Sequence, residues 1–120
     1  MEAIFIHYPK CSTCQKAFKF AKERGMSLVT RDIVEDTPSK DEIRSIIDKS
    51  GFEFKKFFNT SGLAYRELGL KNKVNNMTIE EATELLASNG MLIKRPILIT
   101  DKDVLVGFKQ DEYDKINENT

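Results

Sequence analysis

Apolar and polar positions follow two rhythms along this chain, and their order predicts its elements. Ala3 to Tyr8 is a short run of isoleucine and aromatics stopped at Pro9, which predicts a buried strand. From Cys14 to Arg24, Ala17, Phe18 and Ala21 recur at helical spacing with lysines on the other side, and Gly25 ends the segment. Leu28 to Ile33 alternates Leu28, Thr30 and Asp32 against Val29, Arg31 and Ile33, a second strand. A helical middle follows. Ser39 with Glu42, and Thr78 with Glu81, are capping-box pairs ahead of the stripes Ile43, Ile46, Ile47 and Ala82, Leu85, Leu86. Between them lie an aromatic group (Phe52, Phe54, Phe57, Phe58), the polar loop Asn59-Thr60-Ser61-Gly62 and a helical turn over Tyr65 to Leu68 before Gly69. Ile97 to Thr100 and Val104 to Val106, joined by Asp101-Lys102-Asp103, predict a β-hairpin, and a last helix spans Gln110 to Ile116.

The resulting layout is βαβ, then helices, then ββα, which is α/β with a small mixed sheet. The 120 residues predict one domain, 1–120, with a helical insertion at about 36–93. Basic and acidic residues balance at 19 each, so net charge supplies no argument for nucleic acid or an anionic membrane surface. No apolar run reaches the roughly 18–20 residues needed to span a bilayer. The acidic Met1-Glu2 start and the short run behind it do not read as a signal peptide. The expectation is a cytoplasmic monomer without a membrane or direct nucleic-acid partner.

The candidate chemistry sits at the end of the first strand. Cys11-Ser12-Thr13-Cys14 carries both cysteines of the chain. Residues three apart on one helical turn have Cβ atoms about 5–6 Å apart, a separation compatible with a disulfide. The amides and positive dipole end of a helix N-terminus favour a thiolate. Three readings compete: a redox pair, half of a zinc site, or two structural cysteines. Zinc needs four ligands, and beyond these thiols the chain offers only His7, so no metal is expected. In a reducing compartment, Cys-x-x-Cys beside a βαβ unit points to a thioredoxin-like redox motif. Cys11 is the expected attacking thiol, and Cys14, one turn in, its less accessible partner. His7 is a candidate tuning residue, by charge or hydrogen bonding, or a strand-end histidine without a role. Arg95 precedes Pro96, whose bond can be cis; in a thioredoxin-like layout this loop faces the thiols and brings a permanent cation to Cys11, or else Arg95 is a surface residue beside Lys94 ahead of a trans proline. Ser12, Thr13 and Asn59 are candidate substrate contacts through amides and hydroxyls.

Three segments, His7-x-Pro9-x-Cys11, Tyr65-Arg66-Glu67-Leu68-Gly69-Leu70 and Lys94-Arg95-Pro96-Ile97, resemble the arsenate reductase and Spx family over nearly the whole chain. The resemblance implies a thioredoxin-like fold with a helical insertion between the second and third strands. It also implies a reactive Cys11 with Arg95 as its anion-binding neighbour. The reductase branch implies a thiol oxidoreductase acting on a small oxyanion or a disulfide. It would need no bound cofactor, with glutathione, glutaredoxin or thioredoxin as reductant and Cys14 as a resolving thiol. That branch holds its anion with three arginines. Arg95 matches one, the second position falls near Asn59, and the third falls near Gly107-Phe108 beside Lys109. The Spx branch implies a redox-switched transcriptional regulator that binds the C-terminal domain of the RNA polymerase α-subunit. A second cysteine at position 14 fits that branch. The Asn59-Thr60-Ser61-Gly62 and Tyr65-Arg66-Glu67-Leu68 stretch is closer to the reductase-like members, and the expectation carried forward is the reductase.

Overall fold

The computed structural model describes residues 2–118. Among these residues the chain folds as two compact units, one from 2–32 with 95–118 and one from 33–94.

The first unit carries a four-stranded sheet in the order β2-β1-β3-β4, built from β1 (Glu2–His7), β2 (Ser27–Asp32), β3 (Ile97–Ile99) and β4 (Val104–Val106). β1 pairs parallel with β2 and antiparallel with β3, and β3 pairs antiparallel with β4. The sheet is therefore mixed, as the βαβ and hairpin signals required. Ala3 lies opposite Leu28, Phe5 opposite Leu98, and Leu98 opposite Leu105. Period-two alternation puts these side chains on one face. There they join Ala17 and Ala21 of α1 (Ser12–Glu23) and Tyr113 and Ile116 of α5 (Gln110–Glu118) in one apolar core. Cys14, Ala17 and Ala21 are the buried stripe of α1, while Lys16, Lys19 and Lys22 are exposed. Phe18, placed with the apolar stripe by spacing, sits at its margin, 36% exposed with its ring edge-on to Phe5. The expected burial of the first strand is one-sided at Ile4. It is 44% exposed and pairs with Val29, 54% exposed, on edge strand β2.

The second unit, inserted between β2 and β3, is helical. α2 (Lys40–Ser50) and α4 (Ile79–Ser88) each begin with a complete capping box, Ser39 with Glu42 and Thr78 with Glu81. Each box satisfies two backbone donors that a helix start otherwise leaves without partners. Gly51 closes α2 at φ +72, a left-handed position that costs glycine no Cβ clash. α2 and α4 are joined across their exposed faces by Lys40 to Glu80 and Glu84, and by Arg44 to Glu80. Phe57 and Phe58 are buried, whereas Phe52 and Phe54 are half-buried. The helical turn forms as α3 (Leu63–Glu67), starting two residues before Tyr65, and Gly69 ends it at φ +63. Three 3₁₀ turns, Leu70–Asn72, Val74–Asn76 and Gly90–Leu92, have no counterpart in the periodicity reading. The architecture is a thioredoxin-like α/β fold with a helical insertion between its second and third strands. No helix among the described residues is long and apolar enough to cross a membrane.

Candidate thiol site at the start of the first helix

β1 ends at His7, and Tyr8-Pro9-Lys10-Cys11 turns the chain into α1. The Cys11 amide donates to the Tyr8 carbonyl at 2.9 Å across this turn. Pro9 occupies the position whose φ a proline ring presets. The Gln15 side-chain amide donates to the Pro9 carbonyl at 2.8 Å, fixing the loop from inside the helix. Cys11 is thereby the N-cap of α1, with extended backbone, φ −84 and ψ 122. Ser12, Thr13 and Cys14 follow as the first helical turn, whose amides lack intrahelical acceptors. This turn contains no acidic residue to compete for them.

The two sulfurs sit in unlike surroundings. Cys11 is half-buried, and Cys14 is 1% exposed. Burial by itself pushes the Cys11 thiol up. The Cys14 amide, the Cys14 thiol and the Arg95 guanidinium outweigh it, and the Cys11 thiol lies below its ordinary value. The sulfur does not complete a capping hydrogen bond in the strict sense, yet the nearby Cys14 amide still favours its ionised form. Cys14 is pushed up to about 12, first by burial and then by its neighbour Cys11. The Tyr8 backbone and the Arg95 charge pull only partly the other way. The two thiols are thus shifted in opposite directions, Cys11 down and Cys14 up. Both cysteines are unbridged in this structure.

Arg95 reaches this cluster from the residue before the cis Arg95-Pro96 bond at the head of β3. The Gly107 amide, at φ +81, donates to the Pro96 carbonyl at 2.8 Å and ties that loop to the end of β4. The guanidinium lies over the Tyr8 ring at 5.3 Å from its centroid. One terminal nitrogen, Nη1, is buried without a hydrogen-bond partner among the described residues.

Of the residues singled out from sequence, Cys11, Cys14 and Arg95 come together. Ser12 and Thr13 share the first turn of α1 with exposed side chains. His7 packs its ring against Phe5 at 5.4 Å, and burial pushes its imidazole down despite Asp32. Asn59 belongs to the second unit. Its amide donates to the Leu92 carbonyl at 2.7 Å, and its own carbonyl closes a turn by accepting from Gly62 at 3.1 Å. A substrate contact from Asn59 is carried by the resemblance alone. Tyr8 and Gln15 were missed by sequence reasoning. Their positions, flanking Pro9 and one turn into the helix, are the only signal available for them. Among the described residues no group of three His, Cys, Asp or Glu is placed to hold a metal ion.

Two unlike thiols on the first turn of a helix, at the carboxyl end of a parallel βαβ unit, define a thiol-redox protein of thioredoxin-like fold. The chain belongs to the ArsC family, whose model matches residues 6–116. It is 50% identical over 115 residues to YusI of Bacillus subtilis (strain 168), covering 96% of this chain and 98% of that protein. It is also similar to the global transcriptional regulator Spx of Bacillus subtilis (strain 168), at 28% identity over 87% of this chain and 78% of Spx. A solved structure from Streptococcus mutans UA159, described as a possible arsenate reductase, superimposes with a TM-score of 0.82 at 44% identity. It covers 89% of this chain and 91% of that one. Named relatives thus fall on both the regulator and the reductase side.

Proposed function

We propose that this chain is a redox-sensing regulatory protein whose working event is reversible closure of a Cys11–Cys14 disulfide. The observation that carries the reading is the pair itself: a thiol held low at the helix N-cap, in contact with a buried thiol held high. The likeness to Spx supports the regulatory role, and the second cysteine supports the switch. The Cys11 thiolate attacks one sulfur of a low-molecular-weight disulfide. A mixed disulfide forms and one thiolate leaves. The Cys14 sulfur then attacks the Cys11 sulfur, giving up its proton as the second thiol departs. The protein loses two electrons and two protons, the external disulfide gains them, and a reduced dithiol such as thioredoxin reverses the exchange. Arg95 favours the ionised form of the reduced Cys11 before it attacks. The partner whose docking the switch controls is the C-terminal domain of the RNA polymerase α-subunit.

Capture of that domain by the full chain, compared between the reduced and the disulfide form, tests the reading. A clear difference in retained domain that vanishes in Cys14→Ser is expected; equal or no retention in both states overturns it.

A second reading, a small-oxyanion reductase, is favoured by the likeness to the Streptococcus mutans protein and by Arg95, whose side chain acts on Cys11 and whose Nη1 is buried without a hydrogen-bond partner among the described residues. There the Cys11 thiolate forms a bond to the arsenic of arsenate as one oxygen leaves as water, and glutathione with glutaredoxin supplies the two electrons that reduce As(V) to As(III) and become a disulfide. Arsenate-dependent consumption of reductant, abolished in Cys11→Ser, would establish it.

A further inference from the structure

Tyr8 touches every part of the thiol site without contributing a reacting atom. Its carbonyl accepts the Cys11 amide at 2.9 Å, its backbone acts on the Cys14 sulfur, and its ring lies beneath the Arg95 guanidinium. The backbone contacts would survive almost any substitution; the ring contact would not. Arg95 itself acts on Cys11 through a hydrogen bond and its charge. Its Nη1 is buried without a hydrogen-bond partner among the described residues. A buried guanidinium with an open donor has lost water on that side and gained no acceptor in exchange. An aromatic face is the surface such a cation accepts, because the ring quadrupole attracts it. A flexible arginine chain pointed at a thiol needs a support of this kind to stay there.

We propose that Tyr8 is a positioning residue whose ring face holds the Arg95 guanidinium against the Cys11 sulfur, so that the reactivity of Cys11 depends on the aromatic surface at position 8. This rests on the reading of Cys11 as an Arg95-stabilised thiolate and extends it to the residue that keeps the cation in place. The charged and titratable groups acting on the two sulfurs are Arg95, each thiol on the other and, through its own titration, Tyr113 near Cys14. Where the ring face carries the effect, removing the Tyr8 hydroxyl alone leaves it intact.

The test is the pH profile of Cys11 alkylation, followed by site-resolved mass spectrometry on the full chain. Tyr8→Phe, which keeps the ring face, should leave the midpoint where it is. Tyr8→Leu should raise it by roughly half a pH unit or more, since even a modest cation–π contact is of that order. In an Arg95→Met background, Tyr8→Leu should change nothing further. Pentafluorophenylalanine at position 8 keeps the shape and reverses the quadrupole, so it should reproduce the Leu result even if Tyr8→Leu fails to fold. Midpoints equal to wild type in the Leu and fluorinated variants overturn the proposal, as does a Leu effect that persists without Arg95. If Arg95→Met itself leaves the midpoint unmoved, the thiolate reading fails as well, and the two failures are distinguishable.

Discussion

Arg95→Met is the perturbation that separates an activated thiol from an ordinary one. The substitution keeps an unbranched chain of similar length and removes the fork of donors and the charge. Burial alone drives the Cys11 thiol upward; four influences oppose it, two from Cys14 and two from Arg95, namely its hydrogen bond and its charge. Removing Arg95 takes away the second pair and leaves the burial. An opposite charge within about 4–6 Å moves an acid by roughly one to three pH units. Because Cys11 is half-exposed and solvent screens its surroundings, the lower end applies, a rise of about one pH unit. A more basic thiolate is also intrinsically more reactive, with a Brønsted slope of about 0.4–0.5. Alkylation of the variant should therefore be about three- to fourfold slower at pH values below both midpoints, and faster above them. The assay is iodoacetamide trapping under reducing conditions across the pH range, resolved to Cys11 by mass. Rate curves that cross support the argument; superimposed curves refute it.

Further outcomes follow from the rest of the molecule. The native Cys14 thiol keeps its proton well past the unfolded value of about 8.5, up to about 12, so the folded state binds more protons there and stability declines with rising pH across that window. Cys11, held low, has the opposite effect: its contribution is present above the unfolded value and is lost as pH falls through its native midpoint. Urea midpoints measured with reductant across this range should lose part of their alkaline decline in Cys14→Ala, and an unchanged decline would contradict the assignment. Gly90 is buried, and a Cβ there would run into the Ile33 carbonyl, so Gly90→Ala should cost about 1–3 kcal/mol by urea melt. An unaltered midpoint would show that this packing relaxes freely. Tyr113 is fully buried with a hydroxyl that has no hydrogen-bond partner among the described residues. Tyr113→Phe should leave the melting temperature equal or raise stability by about 1 kcal/mol, and a loss of more than that would reveal a partner for the hydroxyl.

Much of this architecture was legible in the chain because local signals agreed with the global fold. Both capping boxes formed the reciprocal hydrogen bonds their spacing required, and Gly25 and Gly69 stopped segments where expected. Element ends moved by one or two residues, as with α3, where a five-residue helix has too little periodicity to mark its start. The 3₁₀ turns escaped because three residues carry no period at all. Ile4 and Val29 escaped because alternation reveals two faces of a strand but not which one is covered. At the site, the Cys11–Cys14 spacing placed both thiols directly. Arg95 lies far along the chain, and the Arg95-Pro96 step in a thioredoxin-like layout pointed to it before the resemblance did. Tyr8 was invisible because it acts through a carbonyl, an amide and a ring face, none of which leaves a composition signature. His7 was legible as a neighbour of the motif, but the burial that pushes its imidazole down is not visible in sequence.

The account rests on two neighbouring sulfurs being split apart in acidity by their surroundings. An NMR titration of the reduced wild-type protein carrying isotope-labelled cysteine reads both separately. The prediction is a Cys11 midpoint clearly below the ordinary thiol value of about 8.5, with Cys14 titrating far above it, toward about 12. Two midpoints together near the ordinary value, or the order reversed, would contradict it.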